Sequence, residues 1–197
     1  MPRLTLALLA LLWCACSEES PAPRDTEHES ASRPIVPDAS PQSAAVDLTD
    51  LLTGKLLTLQ DGTLQPMADP PSPTDYYLFY HTASWCTPCK AVIPSLMRFA
   101  EMYGEIYAGR FAVVVVAYDK EQPVLQRYAQ EYGLDLPYLT LTARDTFLQH
   151  LPLPMTMLPS MQVTDQQGRI LKSSFDASGA YHGVEIPMNY LRQQLTQ

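Results

Sequence analysis

Residues 79–94, FYHTASWCTPCKAVIP, set two cysteines between an apolar run and an amphipathic one. Cys86 and Cys89 are separated by two residues, so both can meet at the N-terminus of one helix and close a small disulfide ring. Upstream, Tyr76-Tyr77-Leu78-Phe79-Tyr80 has the aromatic, apolar composition of a buried strand. Downstream, Val92, Ile93, Leu96, Met97, Phe99 and Ala100 recur at helical spacing. Strand, turn and helix therefore follow one another within about 25 residues. A helix N-terminus offers partial positive charge and free amide donors, which favour thiolate over thiol and make Cys86 the expected nucleophile.

Trp85-Cys86-Thr87-Pro88-Cys89-Lys90, with Pro94 five residues beyond the second cysteine, resembles the active-site segment of the thioredoxin superfamily. The approach from Phe79 to Cys89 is similar to tryparedoxin and nucleoredoxin-type domains, and the later layout to periplasmic thioredoxin-like reductases. The resemblance implies an α/β, thioredoxin-like fold: a central mixed sheet flanked by helices, here with an N-terminal hairpin extension. It also implies a thiol-disulfide oxidoreductase whose redox-active disulfide is Cys86–Cys89, with no bound cofactor. Thr87 and Pro88 are similar to the residues between the cysteines in reducing members, so net reduction of protein disulfides is expected.

Working outward, Leu56–Leu59 and Thr63-Leu64 flank Asp61-Gly62, a favoured hairpin turn. Met67–Thr74 is a proline-rich loop, and the cysteine helix is expected to stop at Gly104. Phe111–Tyr118, FAVVVVAY, is a β-branched run of the kind buried on both faces of a parallel sheet, placed beside the Tyr76 strand. A helix follows, with Pro123 near its start and Gly133 closing it. Pro137–Leu141 is read as a short strand, Arg144–Leu151 as a short helix, and residues 152–158 as loop.

Leu158-Pro159-Ser160, followed by a strand and a turn at Gly168, resembles the superfamily's cis-proline segment. That likeness implies that Pro159 packs against the disulfide while Leu158 offers backbone groups to an extended substrate. Trp85 would border the same groove. Ile186–Leu195 is a packing helix with Met188, Leu191 and Leu195 on one stripe.

The 197 residues, 46% of them hydrophobic, suffice for one core with appendages. Net charge is -8 with no basic cluster, which makes nucleic acid a poor partner. Residues 1–16 read as a signal peptide: Arg3 precedes an apolar run, Leu4–Trp13, too short to span a bilayer. Cys14-Ala15-Cys16 resembles a bacterial lipoprotein signal with Cys16 as the lipidated residue, although Trp13 departs from the usual leucine. The other reading is an ordinary secretory signal; both imply export. Residues 17–45 have five prolines, no aromatic residue, and six acidic against two basic side chains, and they read as a disordered tether. The folded domain is expected over residues 46–197. The localisation expected is the cell envelope: the periplasmic face of a membrane through the lipid, otherwise periplasmic or secreted. The partners expected are protein thiols and disulfides and a redox partner whose identity stays open.

Zinc would need two further ligands, and His81, His150 and His182 lack paired spacing. A c-type haem site wants histidine after the second cysteine, where Lys90 stands. A non-catalytic interaction domain with a structural CxxC disulfide is the competing class. Among supporting residues, His81 could assist proton transfer or simply hydrogen-bond in place. Lys90 could favour the thiolate or be solvated. Tyr80 stands where thioredoxin has a buried aspartate, Val92 where some periplasmic reductases have a glutamate, and Asp119 reads as a helix cap.

Overall fold

The computed structural model describes residues 47–154 and 157–197. The signal segment with Cys16, the tether, and two positions of the 152–158 loop lie outside the described residues.

A short helix not foreseen from the sequence comes first. In α1 (Leu48–Leu52), Asp47 caps the N-terminus by accepting from the Thr49 amide at 2.8 Å, and Leu48, Leu51 and Leu52 are buried. β1 (Leu56–Gln60) and β2 (Thr63–Pro66) then form the expected hairpin, with φ of 50° at Asp61 and 74° at Gly62. Left-handed backbone at both turn residues matches the twist of the paired strands, which is why Asp-Gly suits the turn.

β3 (Tyr76–Thr82) and β4 (Phe111–Ala117) run parallel, from Tyr76 opposite Phe111 to Thr82 opposite Ala117. α2 (Thr87–Ile106) connects them. It does not stop at Gly104. An interior glycine costs a helix about 1 kcal/mol, and the apolar stripe outweighs that cost: Tyr103 stacks on Phe99 at 4.7 Å and on Tyr107 at 6.0 Å. α3 (Gln122–Tyr132) follows β4 and closes at Gly133 in the left-handed conformation. β5 (Tyr138–Leu139) is only two residues long, and α4 (Arg144–His150) leads to the 152–158 loop. β6 (Ser160–Thr164), β7 (Ile170–Ser173) and α5 (Glu185–Leu195) complete the chain.

The seven strands lie in the order β2-β1-β5-β4-β3-β6-β7, a mixed sheet. Alternation along β3 sorts the core into two layers. Leu78 and Tyr80 pack with Ile93, Leu96 and Phe99 of α2, Leu125 and Tyr128 of α3, and Leu191 of α5. Tyr77 and Phe79 face the other way, against Leu48 and Leu52 of α1 and Phe147 of α4. Among the described residues no helix is long and apolar enough to cross a membrane.

Leu96 is fully buried in the α2 layer, whereas Ile106 at the end of the same helix is 64% exposed. Leu96→Ala should therefore cost about 2–5 kcal/mol, and Ile106→Ala no more than about 0.5 kcal/mol. Urea unfolding followed by circular dichroism measures both; equal losses would show that the α2 layer is not the core.

Candidate active site

The chain leaves β3 at Thr82 and turns through Ala83-Ser84-Trp85 into α2. Hydrogen bonds to two partners, the Ala83 carbonyl and the Asp119 carboxylate, shape this turn. The Cys86 amide donates to the Ala83 carbonyl at 3.1 Å, and the Asp119 carboxylate accepts from the Ser84 hydroxyl at 2.6 Å and from the Ser84 amide at 3.2 and 3.3 Å. Asp119 is thus no helix cap. α3 has Glu121 at its N-cap without a side-chain bond, and the Asp119 carboxylate, two residues earlier, is buried and turned toward the cysteine loop. Arg144 of α4 braces the same corner, donating to the carbonyls of Ala117 and Asp119 at 3.1 and 3.2 Å while its guanidinium lies over the Tyr118 ring.

Cys86 is the N-cap of α2, and its Sγ accepts from the Cys89 amide at 3.2 Å. Thr87 and Pro88 fill the first two helical positions; proline is tolerated there because its missing N–H would have had no intrahelical acceptor. Cys86 and Cys89 are disulfide-bonded, with Cα atoms 5.3 Å apart. Cys86 keeps 5% of its surface exposed and Cys89 none. The helix N-terminus lies at the outer sulfur, where negative charge would develop on reduction.

The Leu158–Pro159 peptide is cis. β6 runs antiparallel to β3 with Ser160 opposite His81, so the residues just before Ser160 come alongside the turn that carries the cysteines. Leu158 packs on the cluster of Ala83, Cys86 and Cys89. A shallow cleft of about 350 Å³ is lined by Trp85, Cys86, Thr87, Pro88 and Leu158. On the far side of Trp85 a second cleft of about 400 Å³ reaches Ser84, Asp119 and Val124. The indole, 66% exposed, is the ridge between them.

Beneath the disulfide, the Tyr80 hydroxyl donates to the Cys89 carbonyl at 2.9 Å, and burial raises its pKa well above the usual phenol range. A neutral donor therefore stands at the position where the sequence resemblance expects a carboxylate. Thr82 and Tyr128 share a hydrogen bond of 2.9 Å nearby. The structure does not bring the other two supporting residues to the sulfurs. Lys90 extends over the ring of Tyr132 in α3, 5.4 Å from its centroid. His81 is fully buried, with Nδ1 3.3 Å from the Tyr118 hydroxyl and Nε2 without a partner among the described residues. Burial lowers its pKa from 6.5 to about 4, with the Gln162 side chain opposing to a smaller degree. Neither Tyr80 nor Ser84 could be assigned these contacts from spacing alone; the aromatic, apolar run of β3 marked Tyr80 only as part of a buried strand. Among the described residues, no three His, Cys, Asp or Glu side chains converge as a metal site.

No protein-family model and no curated protein sequence matches the chain. Solved structures do. A tryparedoxin II complexed with glutathionylspermidine is 17% identical with a TM-score of 0.53, covering 65% of this chain and 87% of its own. Thioredoxin from Wuchereria bancrofti is 20% identical with a TM-score of 0.50, covering 78% and 96%. Tryparedoxin I from Leishmania major is 16% identical at a TM-score of 0.50, covering 76% and 92%. What they share with this chain is the thioredoxin fold.

Because the folded imidazole of His81 holds its proton only below about 4 while an unfolded one takes it up near 6.5, its contribution to stability is full above pH 6.5. That contribution is lost as the pH falls toward 4, up to about 3 kcal/mol. Urea midpoints measured between pH 7 and pH 4 should fall less steeply in His81→Gln than in the parent. Parallel profiles would mean that His81 titrates normally.

Proposed function

We propose that this chain is an exported thiol-disulfide oxidoreductase that reduces disulfides of other proteins. The observation that carries the reading is the asymmetry of the pair: Cys86 caps a helix at the floor of an open cleft, and Cys89 lies inward and fully buried. In the reduced protein, the Cys86 thiolate attacks one sulfur of a substrate disulfide; a mixed disulfide forms and the other substrate sulfur leaves as thiolate. Cys89 then loses its proton and attacks Cys86 Sγ, releasing the second substrate thiol. Two electrons have passed to the substrate, and an external dithiol must return the Cys86–Cys89 disulfide to the reduced state.

Trp85 and Leu158 border the cleft, and an extended substrate segment beside Leu158–Pro159 would present its sulfur to Cys86. The Cys86 thiolate draws support from the helix N-terminus, because Lys90 is engaged with Tyr132. Cys16 carries a lipid in this reading, and the tether lets the domain reach partners from the membrane face.

Turnover of insulin disulfides in a dithiothreitol-coupled assay tests the proposal. Cys86→Ser should abolish turnover, and Cys89→Ala should accumulate a mixed disulfide visible on non-reducing gels. A parent protein that is inert in defined redox buffers would instead favour a structural disulfide in an interaction domain. A measured potential much less negative than that of the glutathione couple would make the protein an oxidant. For the anchor, the full chain should partition into the detergent phase of an extract and Cys16→Ala into the aqueous phase; an aqueous parent rules the lipid out.

A further inference from the structure

Beyond β7 the chain turns away from β6, and the edge of β6 nearest the cleft is closed by side chains. Gln162 is still paired with Ser173. At Met161 the pairing is mixed: its carbonyl accepts from the Ser174 amide at 2.9 Å, and its amide donates to the Ser174 hydroxyl at 2.9 Å. At Pro159, next to the cis peptide bond, the carbonyl accepts from the Tyr181 hydroxyl at 2.7 Å. A phenol thus takes the place of the next ladder donor without adding a strand beside the cleft.

Tyr181 is delivered there by a tightly bonded loop. Asp176 Oδ1 accepts from the Ser178 amide at 2.8 Å, the Ser178 hydroxyl at 2.6 Å and the Ala180 amide at 3.0 Å. Its Oδ2 lies 2.7 Å from His182 Nε2. Gly179 turns the loop with φ of 83°, and the His182 amide closes it on the Ser174 carbonyl at 2.7 Å. The Phe175 and Tyr181 rings meet edge to face at 5.4 Å. So many bonds within so few residues leave the phenol little freedom except to meet Pro159.

We propose that Tyr181 is a positioning residue for disulfide exchange, holding the Leu158–Pro159 segment over Cys86 through the Pro159 carbonyl so that it meets a substrate chain already ordered. The proposal rests on the oxidoreductase reading. A segment ordered in advance spares the complex that entropy, so the effect belongs in substrate binding rather than at the sulfurs. Asp176 acts one step further back, by placing Tyr181.

The test compares the parent, Tyr181→Phe and Asp176→Asn on insulin, on an aromatic small-molecule disulfide, and in alkylation of reduced Cys86 by iodoacetamide. For Tyr181→Phe, KM for insulin should rise about five-fold, the size of one lost hydrogen bond, with kcat nearly unchanged. Asp176→Asn should move KM the same way by less. The small disulfide, the alkylation rate and the Cys86–Cys89 potential should not change in either variant. An unchanged KM for insulin overturns the inference, and so does an equal loss on both disulfides or an altered alkylation rate, since the effect would then lie at the thiolate. A parent protein that reduces neither disulfide overturns the oxidoreductase reading and this inference together, whereas an active parent matched by Tyr181→Phe overturns the inference alone.

Discussion

The antiparallel pairing of β6 with the end of β3 turns two segments far apart in the chain into one site. With His81 opposite Ser160, the chain entering β6 must pass the place where the chain leaving β3 bends into α2. A slip of one residue would exchange the two faces of β6. Met161 and Val163, now packed in the layer under α2, would be thrown to the other side, and Ser160, Gln162 and Thr164 would enter an apolar core. Burial therefore holds the register, and the register holds Leu158 and Pro159 at the cysteines. The cis peptide and the helix cap meet because β6 carries apolar side chains on one face and polar ones on the other.

The chemistry around the disulfide is that of neutral donors and a helix end. Tyr80 holds the Cys89 carbonyl with a hydroxyl whose pKa burial has raised, so it stays protonated and bonds without adding charge. The carboxylate bonded to the turn that leads into the cysteines, Asp119, is occupied with Ser84. Its work is mechanical: it ties the C-terminal end of β4 to the turn that carries Trp85 and Cys86. Arg144 secures the same corner from the opposite layer, so both layers of the fold converge on the cysteine turn. A site braced in this way can expose one sulfur while the backbone that carries it stays fixed.

β6 is buried on both faces, and its polar face is costly. His81 Nε2, Ser160 Oγ, Gln162 Oε1 and Thr164 Oγ1 have no hydrogen-bond partner among the described residues. All four belong to the face away from α2. Desolvated polar atoms of this kind oppose folding, and here the apolar packing of Tyr77, Phe79, Phe147 and the α1 leucines on the same side works against them.

Much of the fold was legible because its signals are local. The aromatic, apolar run of β3, the β-branched run of β4, the Asp61-Gly62 turn and the Gly133 stop each depend on side chains within one element, and each element formed where its residues indicated. The cysteine pair and its helix start were equally local. Gly104 misled, since helix propensity is a small term beside the stacking of Phe99, Tyr103 and Tyr107. α1 escaped notice because five residues carry too little periodicity to read. Asp119 could be recognised as acidic and as standing at a strand end, but its partner lies beyond the neighbouring strand, 35 residues earlier in the chain. The same holds for Tyr181 and Pro159, and for the direction in which Lys90 extends. The sequence alone therefore determined which two cysteines share a helix start and in what order the elements come, since covalent neighbours carry that information. Only tertiary packing set which of those residues touch, because strand register and the burial of two opposed faces are properties of segments meeting in space.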